Sequence, residues 1–199
     1  LAGAIYLGKR KKMIEEPANI PFVILGTGLL WFGWFGFNAG SALGANIDAV
    51  IAFANTNLAS ATSMITWIFL DRMLNKKMSA IGACIGAIVG LVAITPAAGF
   101  VNLGQSIFIG FFAAVISNIA IQVQKQCNID DTLDVFPSHG VGGIVGMILT
   151  GVLAKDVGLI YGETETFMFH LIALILVSIG VFGGSLLIYK IVDLVLPVR

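Results

Sequence analysis

Long stretches without any charged side chain, separated by short charged segments, dominate the hydrophobic pattern of this chain of 199 residues. One stretch covers residues 19–47, and a longer one covers residues 78–124. Because about 20 apolar residues cross the hydrocarbon core of a bilayer, the first predicts a membrane-spanning helix. The second is too long for one helix, and Thr95-Pro96 followed by Gly99 supplies a break that divides it into two.

Six full membrane spans follow from these stretches and from the turns between them. A shorter apolar segment, residues 1–8, covers only about 12 Å at a rise of 1.5 Å per residue, so we interpret it as the end of a helix whose beginning lies outside the chain. The predicted spans are residues 21–43, 49–70, 79–95, 105–123, 131–154 and 167–190. The pattern predicts an all-α polytopic membrane protein, with residues 1–199 forming a single membrane domain.

The positions of lysine and arginine predict how the chain is oriented. Alternation of the spans places ten of the 11 basic residues on one side of the membrane and only Lys155 on the other. The ten are Lys9, Arg10, Lys11, Lys12, Arg72, Lys76, Lys77, Lys125, Lys190 and Arg199. Since cytoplasmic loops carry the excess of basic residues in membrane proteins, we expect a cytoplasmic C-terminus.

Composition narrows the classes of function. Charged residues make up 11% of the chain and the formal net charge is zero, so nothing indicates nucleic-acid binding. The sequence shows no metal-ligand cluster, no phosphate-binding glycine loop and no nucleophile beside a base, so we predict neither an enzyme nor a metal or cofactor. Cys84 and Cys127 are interpreted as two unconnected thiols.

Glycines recur every four residues, the spacing that lets helix backbones approach each other closely in lipid. The sets are Gly36, Gly40 and Gly44; Gly82, Gly86 and Gly90; and Gly142 and Gly146. Each set lies on one face of its helix. The pattern favours a closely packed helix bundle.

The first full span carries an aromatic and polar face. Trp34, Phe37 and Ser41 lie at positions i, i+3 and i+7, with Ser41 near the outer end. An aromatic ring can hold a cation through its quadrupole, and a hydroxyl oxygen can accept a hydrogen bond from it. The alternative interpretation is that the rings pack the bundle or form an interfacial belt.

Two histidines fall within the predicted spans. If the fifth full span begins at Asp131, His139 lies about 12 Å into the membrane, approaching the midplane. An imidazole at that depth marks a proton or substrate route, or is a neutral side chain bonded to its neighbours; both readings stay open here. His170, at the start of the last span, is interpreted as interfacial.

Carboxylates gather at the start of the span that contains His139. Asp130, Asp131 and Asp134 are expected to cap free backbone N–H groups and to oppose the positive end of the helix dipole. Pro137 cannot donate a hydrogen bond to the carbonyl of Leu133, so we expect a kink in the first turns.

Two segments resemble the signature regions of one family. They read WFGWFGFNAGSALGANIDAVIAFANTNLA and DDTLDVFPSHGVGGIVGMILTG, and they are similar to the ammonium transporter (Amt/Mep/Rh) family, in particular its Amt branch. The resemblance implies a fold of eleven spans with two inverted five-helix repeats, assembled as a homotrimer with one pore per subunit. This chain would supply the end of the fifth helix and helices six to eleven.

The resemblance also implies roles for five residues. Ser41 resembles the serine of the outer ammonium-recruitment site, and Phe37 resembles one of two stacked phenylalanines that close the entrance. His139 is similar to one of the twin histidines that line the hydrophobic pore. Thr95 resembles a threonine near the pore that forms hydrogen bonds with the substrate, and Trp34 a tryptophan packed near the pore wall.

By this resemblance we expect an ammonium/ammonia transporter in the plasma membrane, with a possible cytoplasmic nitrogen-signalling regulatory protein as a partner. The alternatives are an ammonium-sensing Amt-like receptor domain and a Rh-type channel for neutral gas. A further expectation concerns this segment taken alone. It would be inactive, because lipid would meet the polar atoms of Ser41 and His139 where half of the pore wall is absent.

Overall fold

The computed structural model describes residues 1–10, 19–74, 77–127 and 129–198, and α-helices occupy every apolar segment of that part of the chain. The helices are α1 (Ala2–Leu7), α2 (Ile20–Gly40), α3 (Ile47–Met73), α4 (Ala80–Ile94), α5 (Leu103–Gln126), α6 (Gly142–Leu153) and α7 (Glu165–Val195). A π-helical turn, Phe136–Val141, leads directly into α6, and a short 3₁₀ helix, Leu159–Tyr161, precedes α7. The described residues contain no β-strand, as the all-α prediction requires.

Asparagine and serine side chains fix where four of the helices begin. Each side-chain oxygen accepts a hydrogen bond from the backbone N–H three residues later, which satisfies a donor that the first helical turn leaves free. The caps are Asn19, Asn46, Ser79 and Asn102, which bind the N–H groups of Phe22, Ala49, Gly82 and Gln105 at 2.9 to 3.1 Å. Because of these caps, α3 and α5 begin two residues earlier than charge and hydropathy alone predicted.

The break between the third and fourth spans lies where the sequence predicted it. Thr95 caps the C-terminal end of α4, and the chain then turns through Pro96 and Gly99 before α5 begins. Lys155 N–H donates to the carbonyl of Phe100 at 2.8 Å, so this turn is tied to the segment that follows α6.

Four of the six predicted spans are long and apolar enough to cross a membrane by themselves. They are α2, α5, the helix formed by the π-helical turn with α6, and α7. The other two are the central helices: α4 has only 15 residues, and α3 carries a row of polar side chains. Both pack inside the bundle, where contact with protein replaces contact with lipid.

The core lies where α3, α4 and α5 meet. Its fully buried apolar side chains include Val89, Leu91, Ile94 and Ile109. Fully buried polar side chains lie among them, and two of these join α3 to α4: Ser60 Oγ donates to the Ala87 carbonyl at 2.9 Å and Ser63 Oγ to the Gly86 carbonyl at 2.6 Å. By contrast, no residue of α7 is buried.

Two of the three glycine sets lie at close helix contacts. A Cβ atom added at Gly90 would lie 2.5 Å from the Ala59 carbonyl oxygen, and one added at Gly86 would lie 2.6 Å from Trp67 Cβ. At Gly36 and Gly40 the expectation stays a prediction, since no atom of the described residues lies within 4 Å of a Cβ at either position. These two glycines of α2 face the open side of the bundle.

The helix predicted from Asp131 begins instead at Phe136, with the π-helical turn. Asp134 adopts a left-handed backbone conformation with φ of 50°, which interrupts any helix before that point. Pro137 lies at the beginning of the turn, where its missing N–H is tolerated, so the expected irregularity takes the form of a π-helical turn rather than a kink within a longer helix.

The orientation derived from basic residues stays a prediction. Of the ten residues assigned to the inner side, Lys11, Lys12, Lys76 and Arg199 lie outside the described part of the chain. The two cysteines are free, as expected: Cys84 is buried in α4 and Cys127 is exposed at the end of α5.

Candidate functional site

A hydrogen bond joins two of the predicted site residues, which belong to different helices. Trp34 Nε1 on α2 donates to Thr95 Oγ1 at the end of α4 at 2.8 Å. Thr95 Oγ1 in turn donates to the Leu91 carbonyl at 2.8 Å. Because the hydroxyl has one proton and two lone pairs, both bonds form at once, and the indole is fixed against α4.

The aromatic face of α2 continues toward its C-terminal end. The rings of Trp34 and Phe37 are 5.8 Å apart between centroids and tilted by 51°. Ser41 Oγ donates to the Phe37 carbonyl at 2.7 Å, which uses its proton and leaves its oxygen lone pairs directed outward. Trp34, Phe37, Ser41 and Thr95 thus form one connected group, which we call the outer cluster.

The outer cluster presents an exposed surface that can bind a small cation. Phe37 is 62% exposed and Ser41 is also exposed, so neither is enclosed by the described residues. An aromatic ring and a hydroxyl oxygen that has already spent its proton both offer electron density to an N–H donor.

Helix α6 runs alongside α4 in the same direction. A Cβ atom added at Gly142 would lie 3.7 Å from Val89 Cγ1, and one added at Gly146 would meet the carbonyl oxygen of Ala93. An advance of four residues along α6, from Gly142 to Gly146, therefore corresponds to an advance of four residues along α4, from Val89 to Ala93. The two helices stay in close contact over at least one turn.

The alignment of α6 with α4 determines where His139 lies along the direction of the two helices. The histidine lies in the π-helical turn three residues before Gly142, which places it level with about Gly86, near the middle of α4. Thr95 is nine residues further along α4, so His139 lies about 13 Å below the outer cluster along the helix direction. The height of His139 along the bundle thus comes from this alignment rather than from a helix that begins at Asp131, and its depth near the midplane stays a prediction.

The side chain of His139 is exposed within the described residues. Among the described residues, no hydrogen bond or ring contact joins it to the outer cluster. His170 has a packing role: its Nδ1 lies 3.0 Å from the Met147 carbonyl, which links α7 to α6.

The three carboxylates before the π-helical turn have different partners. Asp131 Oδ2 accepts a hydrogen bond from the backbone N–H of Phe136 at 2.6 Å. Asp134 contributes its backbone carbonyl, which accepts from Ser138 Oγ at 2.7 Å. The Asp130 carboxylate forms an ion pair with Arg10 at 2.8 Å, a contact that the sequence did not predict.

Burial shifts the ionisation of one of these carboxyls. It raises the pKa of Asp134, although the positive charge of Lys125 acts in the opposite direction. The hydrogen bond to Asp130 raises the pKa of Arg10, so the guanidinium stays charged at every physiological pH.

Two buried asparagines near the outer cluster join its helices to neighbouring segments, and of the two the sequence pointed only to Asn38, as a polar side chain that must face protein or a pore. Asn55 Nδ2 donates to the carbonyls of Ala98 at 2.8 Å and Val101 at 2.7 Å, which holds the turn after Thr95. Asn38 Nδ2 donates to Thr56 Oγ1 at 2.9 Å, which joins α2 to α3. The available signal was the spacing of polar residues in α3, at intervals of three and four residues in an otherwise apolar helix.

A cavity of about 370 Å³ lies between α5 and the π-helical turn. Its lining includes Leu1, Ile119, Val123, Gln124 and Phe136 and is almost entirely apolar. His139 does not line it, so this cavity and the exposed face of His139 are separate features.

Comparison with known proteins gives one consistent family. The model of the Ammonium Transporter Family matches residues 1–199. An ammonium transporter of Aquifex aeolicus is 47% identical over 96% of this chain and 47% of its own length. An ammonium transporter of Bacillus subtilis is 43% identical over 98% of this chain and 51% of its own length.

Solved structures have the same fold. The crystal structure of Candida albicans Mep2 superimposes with a TM-score of 0.89 at 36% identity, over 96% of this chain and 46% of that chain. A protein described as "Sensor Amt Protein" gives a TM-score of 0.88 at 28% identity, over 100% of this chain and 52% of that chain. The chain spans about half of the length of the relatives it matches.

Proposed function

Because this chain belongs to the ammonium transporter family, we propose that the protein containing it carries ammonium across a membrane as ammonia. Ammonium is recruited at the outer cluster and gives up a proton. Ammonia then passes along an apolar pore beside His139, and the proton is returned separately. The members of this family are transporters rather than enzymes, which agrees with the lack of a catalytic constellation in the sequence.

Selectivity follows from the energetic cost of a charge in the membrane. Ammonium and potassium have similar size and the same charge, so electrostatic attraction alone cannot separate them. An apolar pore penalises either ion by a few kcal/mol or more at the midplane. Ammonium can avoid this penalty by releasing a proton, whereas potassium has none to release.

The observation that carries this proposal is the connected geometry of the outer cluster. The bond from Trp34 to Thr95 and the bond from Ser41 to the Phe37 carbonyl join rings and hydroxyl oxygens in one cluster, in which Phe37 and Ser41 are exposed and Trp34 and Thr95 are half-buried. Such a cluster suits a small cation that is rich in N–H donors. His139 follows at about 13 Å along α4, where a neutral imidazole can accept or donate one hydrogen bond to ammonia.

One face of α2 lacks contacts within the described residues, and this face indicates where the rest of the protein packs. α2 exposes Phe32 at 75% and Phe37 at 62%, and Gly36 and Gly40 meet no neighbouring atom within the described residues. We propose that the chain forms the end of the fifth helix and helices six to eleven of an eleven-span fold, and that the first repeat covers this face.

The remaining assignments extend the same proposal. The protein forms a homotrimer in the cytoplasmic membrane, with its C-terminus on the cytoplasmic side. A nitrogen-signalling regulatory protein binds from that side. Support comes from the basic residues assigned to one side of the membrane and from α7, whose surface is left uncovered by the described residues.

A second candidate is an ammonium receptor. The similarity to the protein described as "Sensor Amt Protein" favours it, because receptor and transporter share this fold. A receptor would bind ammonium at the outer cluster without net flux. A Rh-type channel would instead conduct neutral gas without electrical current.

Transport by the full-length gene product in proteoliposomes tests the proposal. We expect uptake of ammonium and of labelled methylammonium, with exclusion of potassium. Binding of ammonium without uptake would support the receptor. Uptake without current on a solid-supported membrane would support the neutral channel, whereas potassium flux equal to ammonium flux would contradict the proposed selectivity.

A further inference from the structure

The segment that leads into the π-helical turn is held by side chains that sequence reasoning treated only as helix caps. We infer that Asp131, together with the Arg10–Asp130 ion pair, positions His139 in the pore. This inference rests on the proposed function, since it names residues that act on the proposed pore histidine without touching the substrate. We call Arg10, Asp130 and Asp131 the positioning unit.

The first part of the positioning unit is a hydrogen bond at the start of the turn. Asp131 Oδ2 accepts from the Phe136 N–H at 2.6 Å, a short, charge-assisted bond. Phe136 opens the π-helical turn, and His139 follows three residues later in the same turn. A π-helical turn is less stable than an α-helical one, so an external acceptor at its first residue selects that conformation.

The second part ties this segment to another helix. Arg10 follows the end of α1, and it binds the Asp130 carboxylate through its backbone N–H at 2.8 Å and through Nε at 2.9 and 3.0 Å. Its Nη2 lies 2.8 Å from Oδ1 of the same carboxylate. The Asp130 side chain is only 7% exposed, whereas that of Arg10 is 33% exposed, so the carboxylate is shielded from water and its geometry is defined by several hydrogen bonds from Arg10.

The two parts act in sequence along the chain. Asp130 and Asp131 are adjacent, so the ion pair fixes the backbone from which the Asp131 carboxylate reaches Phe136. The Asp134 backbone, with φ of 50°, then turns the chain, and its carbonyl accepts hydrogen bonds from both the N–H and the Oγ of Ser138. His139 is the next residue, so its height and direction depend on this anchored turn.

Loss of the positioning unit should affect transport without unfolding the helix bundle. If the turn relaxes toward an α-helix, His139 changes its position relative to the pore axis by an appreciable part of a helical turn, while the bundle of α3, α4 and α5 stays packed. We therefore expect flux to fall, with recruitment at the distant outer cluster unaffected.

Asp131→Ala and Asp131→Asn in the full-length gene product test this inference. Alanine removes the acceptor, and we expect a maximal ammonium flux per folded protein on the order of tenfold lower, with an unchanged KM. Asparagine keeps an acceptor oxygen at the same place, so we expect it to restore most of the flux.

A double-mutant cycle with His139→Ala separates positioning from general stability. If Asp131 acts through His139, Asp131→Ala should have no further effect on flux per folded protein in the His139→Ala background. If the double variant instead lowers flux by the product of the two single factors, the inference is overturned, because Asp131 would then act independently of the histidine.

Asn102→Ala is the matched control, since it removes a side-chain cap of 2.9 Å from α5, a helix that carries no predicted site residue. We expect it to lower the midpoint of thermal unfolding as Asp131→Ala does, with flux per folded protein unchanged. Equal flux per folded protein for Asp131→Ala and the unmodified protein would overturn the inference.

A second variant keeps the test decisive where Asp131→Ala yields too little folded protein. Arg10→Gln removes the guanidinium contacts to Asp130 but keeps the backbone N–H donor, and we expect a fall in flux at constant KM. Wild-type flux with this variant would overturn the role of the pair. Failure of the unmodified protein to transport ammonium would instead contradict the proposed function, so the two failures are distinguishable.

Discussion

Thr95 Oγ1 accepts a hydrogen bond of 2.8 Å from Trp34 Nε1 and donates one of 2.8 Å to the Leu91 carbonyl. The side chain of a residue at the end of α4 thereby orients an indole ring of α2. A threonine that bonds back to its own helix thus gains a second role as an acceptor for a neighbouring helix.

Replacing Thr95 with valine tests this link. Valine keeps the shape of threonine but cannot accept the indole hydrogen bond, so Trp34 Nε1 loses its partner. We expect the variant to lose about 1–3 kcal/mol of stability, with a raised apparent KM for ammonium. Thr95→Ser keeps the hydroxyl and should behave like the unmodified protein; equal thermal unfolding midpoints for valine and serine would contradict the account.

Ser41→Ala tests recruitment at the outer cluster. The variant loses an oxygen acceptor on an exposed surface, and its bond to the Phe37 carbonyl is local to α2. We expect the apparent KM for ammonium to rise by about tenfold, with maximal flux little changed. Ser106→Ala, which removes a hydroxyl bonded to the Leu103 carbonyl in α5, is the control. Lower stability at an unchanged KM would favour the packing interpretation.

The close approach of α3 and α4 predicts a large difference between two helical glycines. A Cβ at Gly90 would lie 2.5 Å from the Ala59 carbonyl oxygen and 2.7 Å from Ser60 Cα, so the helices must separate. We expect Gly90→Ala to cost about 1–3 kcal/mol or more. Gly180 in α7 meets no atom within 4 Å, so Gly180→Ala should leave the unfolding midpoint unchanged or raise it slightly. Similar midpoints for both variants would argue against this packing.

Asp134 predicts a dependence of stability on pH. Burial raises the pKa of its carboxyl in the folded state, so the folded protein favours the protonated form. The unperturbed pKa of an aspartate in the unfolded chain is about 3.9. The stability that the protonated form contributes is fully present below that pH, and it is lost as the pH rises through the higher pKa of the folded state. Asp134→Asn removes this loss, and asparagine tolerates the left-handed backbone.

The unfolding midpoint of Asp134→Asn, measured relative to the unmodified protein, should therefore increase as pH rises from about 4 and then level off. Asp156→Asn makes the same exchange at a second left-handed aspartate, with φ of 64°, and serves as the control. A difference in midpoint that is constant across this pH range would refute the assignment for Asp134.

The helices were largely predictable because uncharged runs and punctuating residues follow from the cost of burying charge in lipid. Thr95-Pro96 marked the end of α4, and each predicted span contains a helix. The start of the fifth span was wrong by five residues, because Asp131 caps from outside the helix rather than at its first residue. Aspartate composition alone cannot distinguish a residue in the first turn from one that reaches it across a loop.

The contacts that hold the candidate site were less predictable. The bond from Trp34 to Thr95 crosses 61 residues of sequence, and the Arg10–Asp130 pair crosses 120. Local periodicity reports which residues share a helix face, but it carries no information about which distant side chain meets that face. Asn55 was missed for the same reason, since its role depends on the carbonyls of another segment, and the partner of Asn38 on α3 was equally unpredictable.

The most direct test of the central claim is ammonium flux through the His139→Ala variant of the full-length gene product, measured beside potassium flux in proteoliposomes. The account predicts a folded protein with altered ammonium flux or weakened exclusion of potassium, because the imidazole lines the route that ammonia takes. Wild-type uptake of ammonium and methylammonium, together with intact exclusion of potassium, would contradict it.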